Sequence, residues 1–374
     1  MKKNMLKNIE WTILICSILL VVIGCIALYS ATFEIGKQDF NKQVIWAIIC
    51  IPVVIIVTIM DYEILAKISP FLFGVIIVLL IGVLFTTPIN GARSWYNLGA
   101  LSFQPGEAAK IITILFLSYI VSKVQSKDRD NISNPLYILL FIGIVAIPAS
   151  LIISQPDIGT AIPFVIALIF ILFAGGIKKR YIIISFLIIA SCITILATNQ
   201  DLYEKIMPAH ARARIETYLH PELDPRGAGY NVLQSKLAIG SGQLVGMGVL
   251  KGNQTQLGYL HPKTTDFIYS VIGEEMGFIA AGSVIIIYII LITKGIYVAK
   301  TAKDPVGSYI ATGIVAVFMF HMLENIGMTM GILPITGIPL PFISYGGTSL
   351  LTNFICVGLL LSISARRKKV LFTS

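Results

Sequence analysis

Long apolar stretches recur along most of this 374-residue chain. A helix needs about 20 mostly apolar residues to span the hydrocarbon core of a bilayer, and stretches near that length cover residues 11–30, 44–60, 68–86, 105–122, 135–154, 159–176, 181–198, 267–293, 308–330 and 347–364. Hydrophobic residues make up 56% of the chain, and the mean hydropathy is +0.86, above the range of soluble proteins. The sequence therefore predicts an all-α integral membrane protein, with ten transmembrane helices in one polytopic domain over 1–374.

The other compositional signals exclude several classes of protein. The first apolar stretch is about twice as long as that of a cleavable signal peptide, and no small-residue cleavage site follows it. The cysteines all fall inside apolar stretches, which favours small buried side chains over disulfides or metal ligands. The four histidines show no metal-ligand spacing. No metal motif is present.

The net charge of +9 is explained by where the basic residues fall. If ten helices are counted from the N-terminus, the following basic residues of the termini and short loops all fall on one side of the membrane: Lys2, Lys3, Lys7, Lys178, Lys179, Arg180, Lys294, Lys300, Lys303, Arg366, Arg367, Lys368 and Lys369. Short loops rich in lysine and arginine face the cytoplasm. Both termini are therefore predicted to be cytoplasmic and the long 199–266 loop extracytoplasmic, and no nucleic-acid partner is needed.

The outer loops contain the unusual sequence. Turn-forming residues and an interfacial Trp95 mark residues 90–99. Within 199–266, an amphipathic helix on the bilayer or over the bundle is indicated by Val232, Leu233, Lys236, Leu237 and Ile239. The glycines that follow it (Gly240, Gly242, Gly246 and Gly248) predict a flexible backbone that approaches a ligand closely.

The segment 331–347 contains three prolines and four glycines, which forbid a regular helix. Irregular backbone at membrane depth occurs where it is buried in protein or lines a water-filled cavity. We predict a cavity beside this segment.

Asp266 lies where the 199–266 loop meets an apolar helix, with Glu274 and Glu275 one to two turns deeper. Ionisable residues at membrane depth usually mark a pathway or a reaction site. On a helical wheel, Ser270, Gly273 and Gly277 share the direction of Asp266, so its side chain is expected to face the bundle or the outer cavity. The alternative is that Asp266 or Thr265 caps the helix.

Three further groups of charged residues are candidates. Glu107 and Lys110 are three residues apart, a spacing that favours a structural ion pair and leaves open whether the pair supports Asp266. Asp157 either caps the following helix or lines the cavity. The outer loop supplies cations that could grip a diphosphate, with Arg214 ranked first: Arg212, Arg214, Arg226, Lys236, Lys251 and Lys263.

Short motifs are spread over nearly the whole chain: Gly91-Ala92-Arg93-Ser94-Trp95, Phe103-Gln104-Pro105-Gly106-Glu107, Gln155-Pro156-Asp157-Ile158-Gly159-Thr160-Ala161, Asp224-Pro225-Arg226-Gly227-Ala228-Gly229-Tyr230, Ala238-Ile239-Gly240-Ser241-Gly242, Thr265-Asp266-Phe267-Ile268, Gly273-Glu274-Glu275-Met276-Gly277 and Pro339-Leu340-Pro341-Phe342-Ile343-Ser344-Tyr345-Gly346-Gly347. Together, and in this order, they resemble the motifs of the SEDS (shape, elongation, division and sporulation) family of bacterial cell-wall polymerases.

The segments 253–257 and 333–337 are more similar to the RodA, or elongation, branch than to the FtsW, or division, branch. One position departs from the family pattern. Thr264 stands where the family commonly has histidine before the Thr-Asp pair, so that histidine has no counterpart at this position.

The resemblance implies that the protein joins lipid II units on the outer face of the bacterial cytoplasmic membrane, for cell elongation and shape. It implies that Asp266 is the catalytic residue, supported by Glu107 and Lys110. Arg93, Trp95, Asp157, Arg214, Lys263 and Ser344 are then supporting or substrate-binding candidates. It further implies a class B penicillin-binding protein partner within an elongation complex, surrounding membrane lipid, and a divalent cation (Mg or Mn).

Two other functions fit parts of the same sequence. A transporter that flips a lipid-linked cell-wall precursor would also use intramembrane acids and broken helices. The chain shows no clear internal repeat, however, and its distinctive polar sequence is all on one side. A non-catalytic scaffold for wall assembly would tolerate replacement of Asp266.

Overall fold

The computed structural model describes residues 7–88, 92–99, 101–206, 209–220, 224 and 227–367. Its helices, numbered in chain order, are α1 Trp11–Ala31, α2 Gln38–Ile59, α3 Tyr62–Gly82, α4 Pro105–Lys127, α5 Pro135–Ile153, α6 Ile158–Ala174, α7 Lys179–Thr198, α8 Gln200–Ile206, α9 Ala209–Leu219, α10 Ala228–Ser241, α11 Asn253–Gln256, α12 Ile268–Thr301, α13 Pro305–Thr329 and α14 Gly347–Ala365. Short 3₁₀ turns cover Val83–Phe85 and Arg129–Ser133.

A helix forms at each of the ten predicted stretches, which confirms the predicted helical class. Seven of the described helices are long and apolar enough to cross a membrane: α1, α2, α3 with its 3₁₀ extension, α5, α12, α13 and α14. The helix α6 is apolar but has 17 residues, and α4 carries Glu107 and Lys110. The chain is a multi-pass membrane protein.

Some features differ from the predicted pattern. The turn-rich outer segment forms an antiparallel hairpin of β1 Tyr96–Leu98 and β2 Leu101–Phe103. Several helices are longer than the predicted stretches: α2 and α3 each begin six residues earlier, and α4 and α12 end five and eight residues later. Some predicted positions lie outside the described residues: Lys2, Lys3, Asn90, Gly91, Pro225, Arg226, Lys368 and Lys369.

Local sequence signals set several helix starts. Asn134 accepts a hydrogen bond from the backbone N–H of Leu136, and Pro135 occupies the first helical position of α5. Asp304 caps α13 through the N–H of Gly307. An N-cap carboxylate or amide satisfies a backbone donor that the helix cannot, and proline at the first position loses no helical hydrogen bond.

The helices α13 and α14 form the interior of the bundle, whereas α2 and α3 leave most of their surface exposed. Close helix contact is made possible by small residues, as expected in membranes. A Cβ atom at Gly358 of α14 would lie 2.8 Å from Val57 Cβ of α2. The central position of α13 brings its polar side chains within reach of the 331–346 segment.

The helix α12 is interrupted at Gly277, where φ is 76°. The glycine-rich segment 242–248 enters this break: Gln243 O and Leu244 O accept from the N–H groups of Phe278 and Ile279 at 2.8 and 3.1 Å. A Cβ atom at Gly242 would lie 1.9 Å from the carbonyl oxygen of Gly273. The prediction that these glycines approach a ligand is therefore wrong for Gly242 and Gly246, which approach the protein's own backbone.

The predicted amphipathic helix is present as α10 and lies over the bundle. Its buried face is formed by Val232, Ser235 and Ala238, and the Ser235 hydroxyl hydrogen-bonds to the Ser270 hydroxyl at 2.6 Å. Ile239 also packs against the core, whereas Leu233 and Leu237 are exposed, so the apolar pattern identified only part of the packing face.

The segment 331–346 contains no regular helix, as its prolines and glycines predict. Ile338, Leu340, Phe342 and Ile343 are buried in the bundle, whereas Gly337 is exposed. The segment thus satisfies the requirement for irregular backbone at membrane depth largely by burial in protein.

Candidate active site

Asp266 lies in the turn before α12, and not on the helix as the helical-wheel argument assumed. The premise of the wheel argument is wrong because α12 begins at Ile268, but the carboxylate does face the bundle: a Cβ atom at Gly337 would lie 3.5 Å from Asp266 Oδ2. The capping prediction is also wrong: the N-cap position is Phe267, and no side chain caps the helix. Asp266 is half-buried, and its backbone carbonyl accepts from Asn325 Nδ2 at 3.0 Å.

The residues before Asp266 are held by the end of the broken segment. The Ser344 hydroxyl donates to the carbonyl of Thr265 at 2.6 Å, and the N–H of Tyr345 donates to the carbonyl of Thr264 at 2.9 Å. The Ser344 oxygen also accepts from the N–H of Leu340 at 2.9 Å. Ser344 therefore positions the backbone that presents Asp266.

The environment of Asp266 makes its carboxylate more basic than usual. Burial raises the pKa of this carboxyl group, and the negative charge of Asp157 adds to that effect. A hydrogen bond from the Thr265 hydroxyl and the charges of Arg214 and His261 act in the opposite direction. Because desolvation is the largest cause, the pKa lies above that of ordinary aspartate, as a general base requires.

Arg214 connects the outer helix α9 to the broken segment. Its Nη1 donates to the carbonyl of Thr336 at 2.8 Å, and the hydroxyl of Tyr218, one turn along α9, donates to the carbonyl of Ile332 at 2.8 Å. These bonds place a guanidinium group close enough to Asp266 for their charges to interact. Among the outer-loop arginines and lysines that the structure describes, Arg214 is the one that acts on this carboxylate.

Asp157 is close enough to Asp266 to interact electrostatically. Its Oδ1 caps α6 by accepting from the N–H of Thr160 at 3.2 Å, and its Oδ2 accepts from Gln104 Nε2 at 3.2 Å. The next turn is packed tightly against the broken segment: a Cβ atom at Gly159 would lie 2.6 Å from the carbonyl oxygen of Thr336. Asp157 thus combines capping with a place near Asp266.

Glu107 and Lys110 form the ion pair that their spacing predicts, with 2.8 Å between Oε1 and Nζ, and both are buried. Lys110 Nζ also lies 3.4 Å from His321 Nε2, and His321 Nδ1 lies 3.3 Å from the carbonyl oxygen of Pro339. The pair therefore connects through His321 to the same broken segment that contacts Asp266.

Glu274 and Glu275 bind the protein's own loop. Glu274 accepts from the N–H of Gln254 at 2.7 Å, and from the N–H and hydroxyl of Thr255 at 3.0 and 2.6 Å. Glu275 accepts from the Ser30 hydroxyl at 2.7 Å and from Gln256 Nε2 at 2.9 Å. Both carboxylates are buried and have protein partners.

Lys263 contacts the same loop as Glu274 and Glu275. Its Nζ donates to the carbonyl of Thr255 at 2.7 Å. Burial lowers the pKa of Lys263, and the charges of Glu34, Glu275 and Glu274 act in the opposite direction. Lys263 therefore fastens the loop that precedes Asp266.

Arg93 and Trp95 are placed apart from this network. Arg93 is exposed, and its Nη1 donates to the carbonyl of Leu84 at 3.2 Å. Trp95 is half-buried just before β1. In the part of the chain that the structure describes, neither side chain hydrogen-bonds to the residues around Asp266.

Three side chains of α13 that were not among the predicted site residues also contact the broken segment. His321, Glu324 and Asn325 are buried and contact the segment 336–339. Their signal was available, because ionisable and amide side chains inside an apolar stretch are costly and usually functional. What the sequence did not show was the segment that they contact.

Comparison with known proteins gives a consistent result. The FtsW/RodA/SpoVE family model, described as cell cycle protein, matches residues 10–369. The peptidoglycan glycosyltransferase MrdB of Escherichia coli K12 is 33% identical over 364 residues, covering 96% of this chain and 95% of that protein. The probable peptidoglycan glycosyltransferase FtsW of Geobacter metallireducens is 33% identical over 380 residues, covering 97% of each chain.

Solved structures share the fold. A chain from a study of how a peptidoglycan synthase complex coordinates polymerization and crosslinking superposes with a TM-score of 0.80 at 23% identity, covering 96% of this chain and 99% of that chain. The crystal structure of the rod shape determining protein RodA of Thermus thermophilus gives 0.70 at 23% identity, covering 96% and 98%. The MrdB- and RodA-named matches support the RodA-like branch.

Proposed function

The chain belongs to the FtsW/RodA/SpoVE family of cell cycle proteins, and we propose that it is a peptidoglycan glycosyltransferase that joins lipid II units. It is a multi-pass protein of the bacterial cytoplasmic membrane. The observation that carries the proposal is Asp266: a half-buried carboxylate, made more basic by burial, in a turn fixed by neighbouring segments.

In the proposed reaction, Asp266 accepts the proton from the sugar 4-hydroxyl of the acceptor. The hydroxyl oxygen forms a bond to the anomeric carbon of the donor sugar, and the bond from that carbon to the undecaprenyl diphosphate breaks. The leaving diphosphate takes the bonding electron pair. A positioned general base typically contributes about 10²–10⁴-fold to the rate.

Arg214 is proposed to stabilise the departing diphosphate. Its guanidinium group is oriented by the bond to Thr336 O and lies near Asp266. A planar guanidinium suits phosphate oxygens, and a fixed cation stabilises developing negative charge. Lys263 contributes by holding the loop before Asp266; Arg93 and Trp95 are proposed to contact the substrate farther from the base.

A divalent cation has no preformed protein site in the described residues. No three of their His, Cys, Asp or Glu side chains are grouped so as to hold a metal ion. Asp157 and Asp266 are close enough for their charges to interact. We therefore propose that a cation used by the reaction arrives with the substrate diphosphate, and the steps above are assigned to side chains of this chain.

The proposed topology has ten transmembrane helices, α1 to α7 and α12 to α14, with both termini in the cytoplasm. Basic residues at the ends of these helices support this orientation: Lys178, Lys179 and Arg180 lie at the start of α7, Lys300 lies in the last turn of α12, and Lys303 lies between α12 and α13. The loop 199–266 and Asp266 then face outward, where the 4-hydroxyl of a lipid-linked acceptor is available.

The proposed partner is a class B penicillin-binding protein, a transpeptidase that crosslinks the new strands within an elongation complex. The support is the fold shared with a chain from a peptidoglycan synthase complex.

The test is polymerisation of purified lipid II in detergent, with and without a cognate class B partner. We expect glycan polymer from the wild type and at least about 10²-fold less from Asp266→Asn. Polymer from both at equal rates would contradict the role of Asp266. No polymer from any wild-type mixture would contradict the proposed activity.

A further inference from the structure

Three polar side chains on one face of α13 hold the broken segment. His321, Glu324 and Asn325 are spaced i, i+3 and i+4, so they lie on the same side of the helix. His321 Nδ1 lies 3.3 Å from the carbonyl oxygen of Pro339, Asn325 Nδ2 donates to that of Ile338 at 2.8 Å, and Glu324 Oε1 accepts from the Thr336 hydroxyl. The helix therefore fixes the path of 336–339.

Glu324 differs from His321 and Asn325 because its partner, Thr336, is also hydrogen-bonded to Arg214. Thr336 donates its hydroxyl to Glu324 and accepts from Arg214 at its carbonyl oxygen. Glu324 is thus hydrogen-bonded to Thr336, whose carbonyl group orients the Arg214 guanidinium. Its charge also lies close enough to Asp266 and Arg214 to interact with both.

Gly337, the residue after Thr336, lies next to the carboxylate of Asp266. Gly337 has φ +76°, a conformation that favours glycine. A Cβ atom there would lie 3.5 Å from Asp266 Oδ2. The orientation of Thr336 therefore determines how close Gly337 lies to the carboxylate of Asp266.

Burying Glu324 at this position costs free energy. The residue is 3% exposed, and its Oε2 atom is buried with no hydrogen-bond partner in the described residues. A buried carboxylate oxygen without a partner costs about 1–3 kcal/mol or more. A neutral side chain with an acceptor oxygen could also hold Thr336, so glutamine is the replacement that keeps this contact and removes the charge.

We propose that Glu324 is a positioning residue for glycan polymerisation, acting through Thr336 to fix Gly337 and Arg214 around Asp266. This inference rests on the proposed function. A misplacement of about 1 Å in an active site can reduce a rate about 10²-fold. Loss of the Glu324–Thr336 contact is therefore expected to lower kcat and to leave KM for lipid II near the wild-type value.

A double-mutant cycle on lipid II polymerisation tests the proposal. Glu324→Ala and Thr336→Val are each expected to lower kcat about 10–10²-fold. The double variant should be no slower than the slower single variant, because both changes remove one contact. Glu324→Gln keeps an oxygen that can accept from Thr336, so it should recover most of the rate.

The matched control is Thr113→Val on α4. The Thr113 hydroxyl is also buried but has no hydrogen-bond partner in the described residues, so its removal should leave kcat unchanged. If Glu324→Ala does not fold, the cycle is run with Glu324→Gln, Thr336→Ser and Thr336→Val. In that set, a rate loss confined to Thr336→Val supports the proposal, and equal rates for all three contradict it.

The outcomes separate the inference from the proposed function. Wild-type polymerisation with an unaffected Glu324→Ala variant would overturn the inference alone, as would losses that multiply in the double variant or a change confined to KM. No polymerisation by the wild type would overturn the proposed function and this inference with it.

Discussion

Asp266 and the pair Glu274–Glu275 lie within ten residues of one another, yet they have opposite surroundings. The pair is fully buried, and both carboxylates accept hydrogen bonds from Ser30 or the 252–256 segment. Asp266 is half-buried beside the exposed Gly337. The difference teaches that burial with protein partners indicates a structural acid, whereas a fixed carboxylate that stays accessible is suited to chemistry.

The largest expected effect is on the rate when Asp266 is changed. Asp266→Asn removes the base and should lower kcat for lipid II polymerisation about 10²–10⁴-fold. Asp266→Glu keeps a carboxylate but displaces it by one methylene group, so it should retain more activity than the amide. A steady-state assay of both variants checks this order; a more active Asn variant would break the assignment of Asp266 as base.

The buried Glu107–Lys110 ion pair is a second case to compare with Asp266, because its effect is expected on stability. Lys110→Met leaves Glu107 charged and unpaired, which should reduce the free energy of unfolding by about 3–5 kcal/mol. Adding Glu107→Leu removes the stranded charge and should recover most of that loss. Thermal unfolding in detergent measures both variants. A double variant that is less stable than Lys110→Met would show that the pair is not the source of the loss.

Glu274→Ala should behave as a stability variant. It leaves the N–H groups of Gln254 and Thr255 and the Thr255 hydroxyl without their acceptor. The expected loss in the free energy of unfolding is about 3 kcal/mol, with the polymerisation rate per folded molecule retained below the unfolding transition. A large rate loss at unchanged stability would place Glu274 with Asp266.

The smallest effect is a change in pH dependence. Asp266 acts as a base only when deprotonated, so the rate should fall as the pH falls through its pKa, which burial has raised. Arg214 opposes that increase, and Arg214→Gln should therefore move the acid limb of the profile to higher pH. Arg180→Gln, which removes a charge beside Tyr181, is the control. Equal acid limbs for both variants would contradict the electrostatic role of Arg214.

The sequence predicted the parts of the fold that depend on local pattern. Apolar length located ten helices, and Pro135 began α5 as expected. The break at Gly277 was missed because it depends on a segment about 30 residues earlier, whose carbonyl groups pair with the broken helix. A helical wheel assumes that such a helix is continuous.

The sequence likewise predicted only part of the candidate site. Asp266 and the Glu107–Lys110 pair were identified from residue type and resemblance, but Glu324 and Asn325 were not. Their importance depends on the irregular 336–339 segment, whose path is fixed by tertiary contacts and not by any periodic pattern. For the same reason, residue type and position alone could not separate Asp266 from Glu274 and Glu275, and only the family resemblance did so.

The most direct test applies the same acid-to-amide change to both regions. Asp266→Asn and Glu274→Gln would be purified in parallel, and lipid II polymerisation and thermal unfolding measured on the same samples. We expect Asp266→Asn to lose polymerisation at unchanged stability, and Glu274→Gln to lose stability while each folded molecule still polymerises. The reverse pattern, or normal polymerisation by a folded Asp266→Asn variant, would contradict the account.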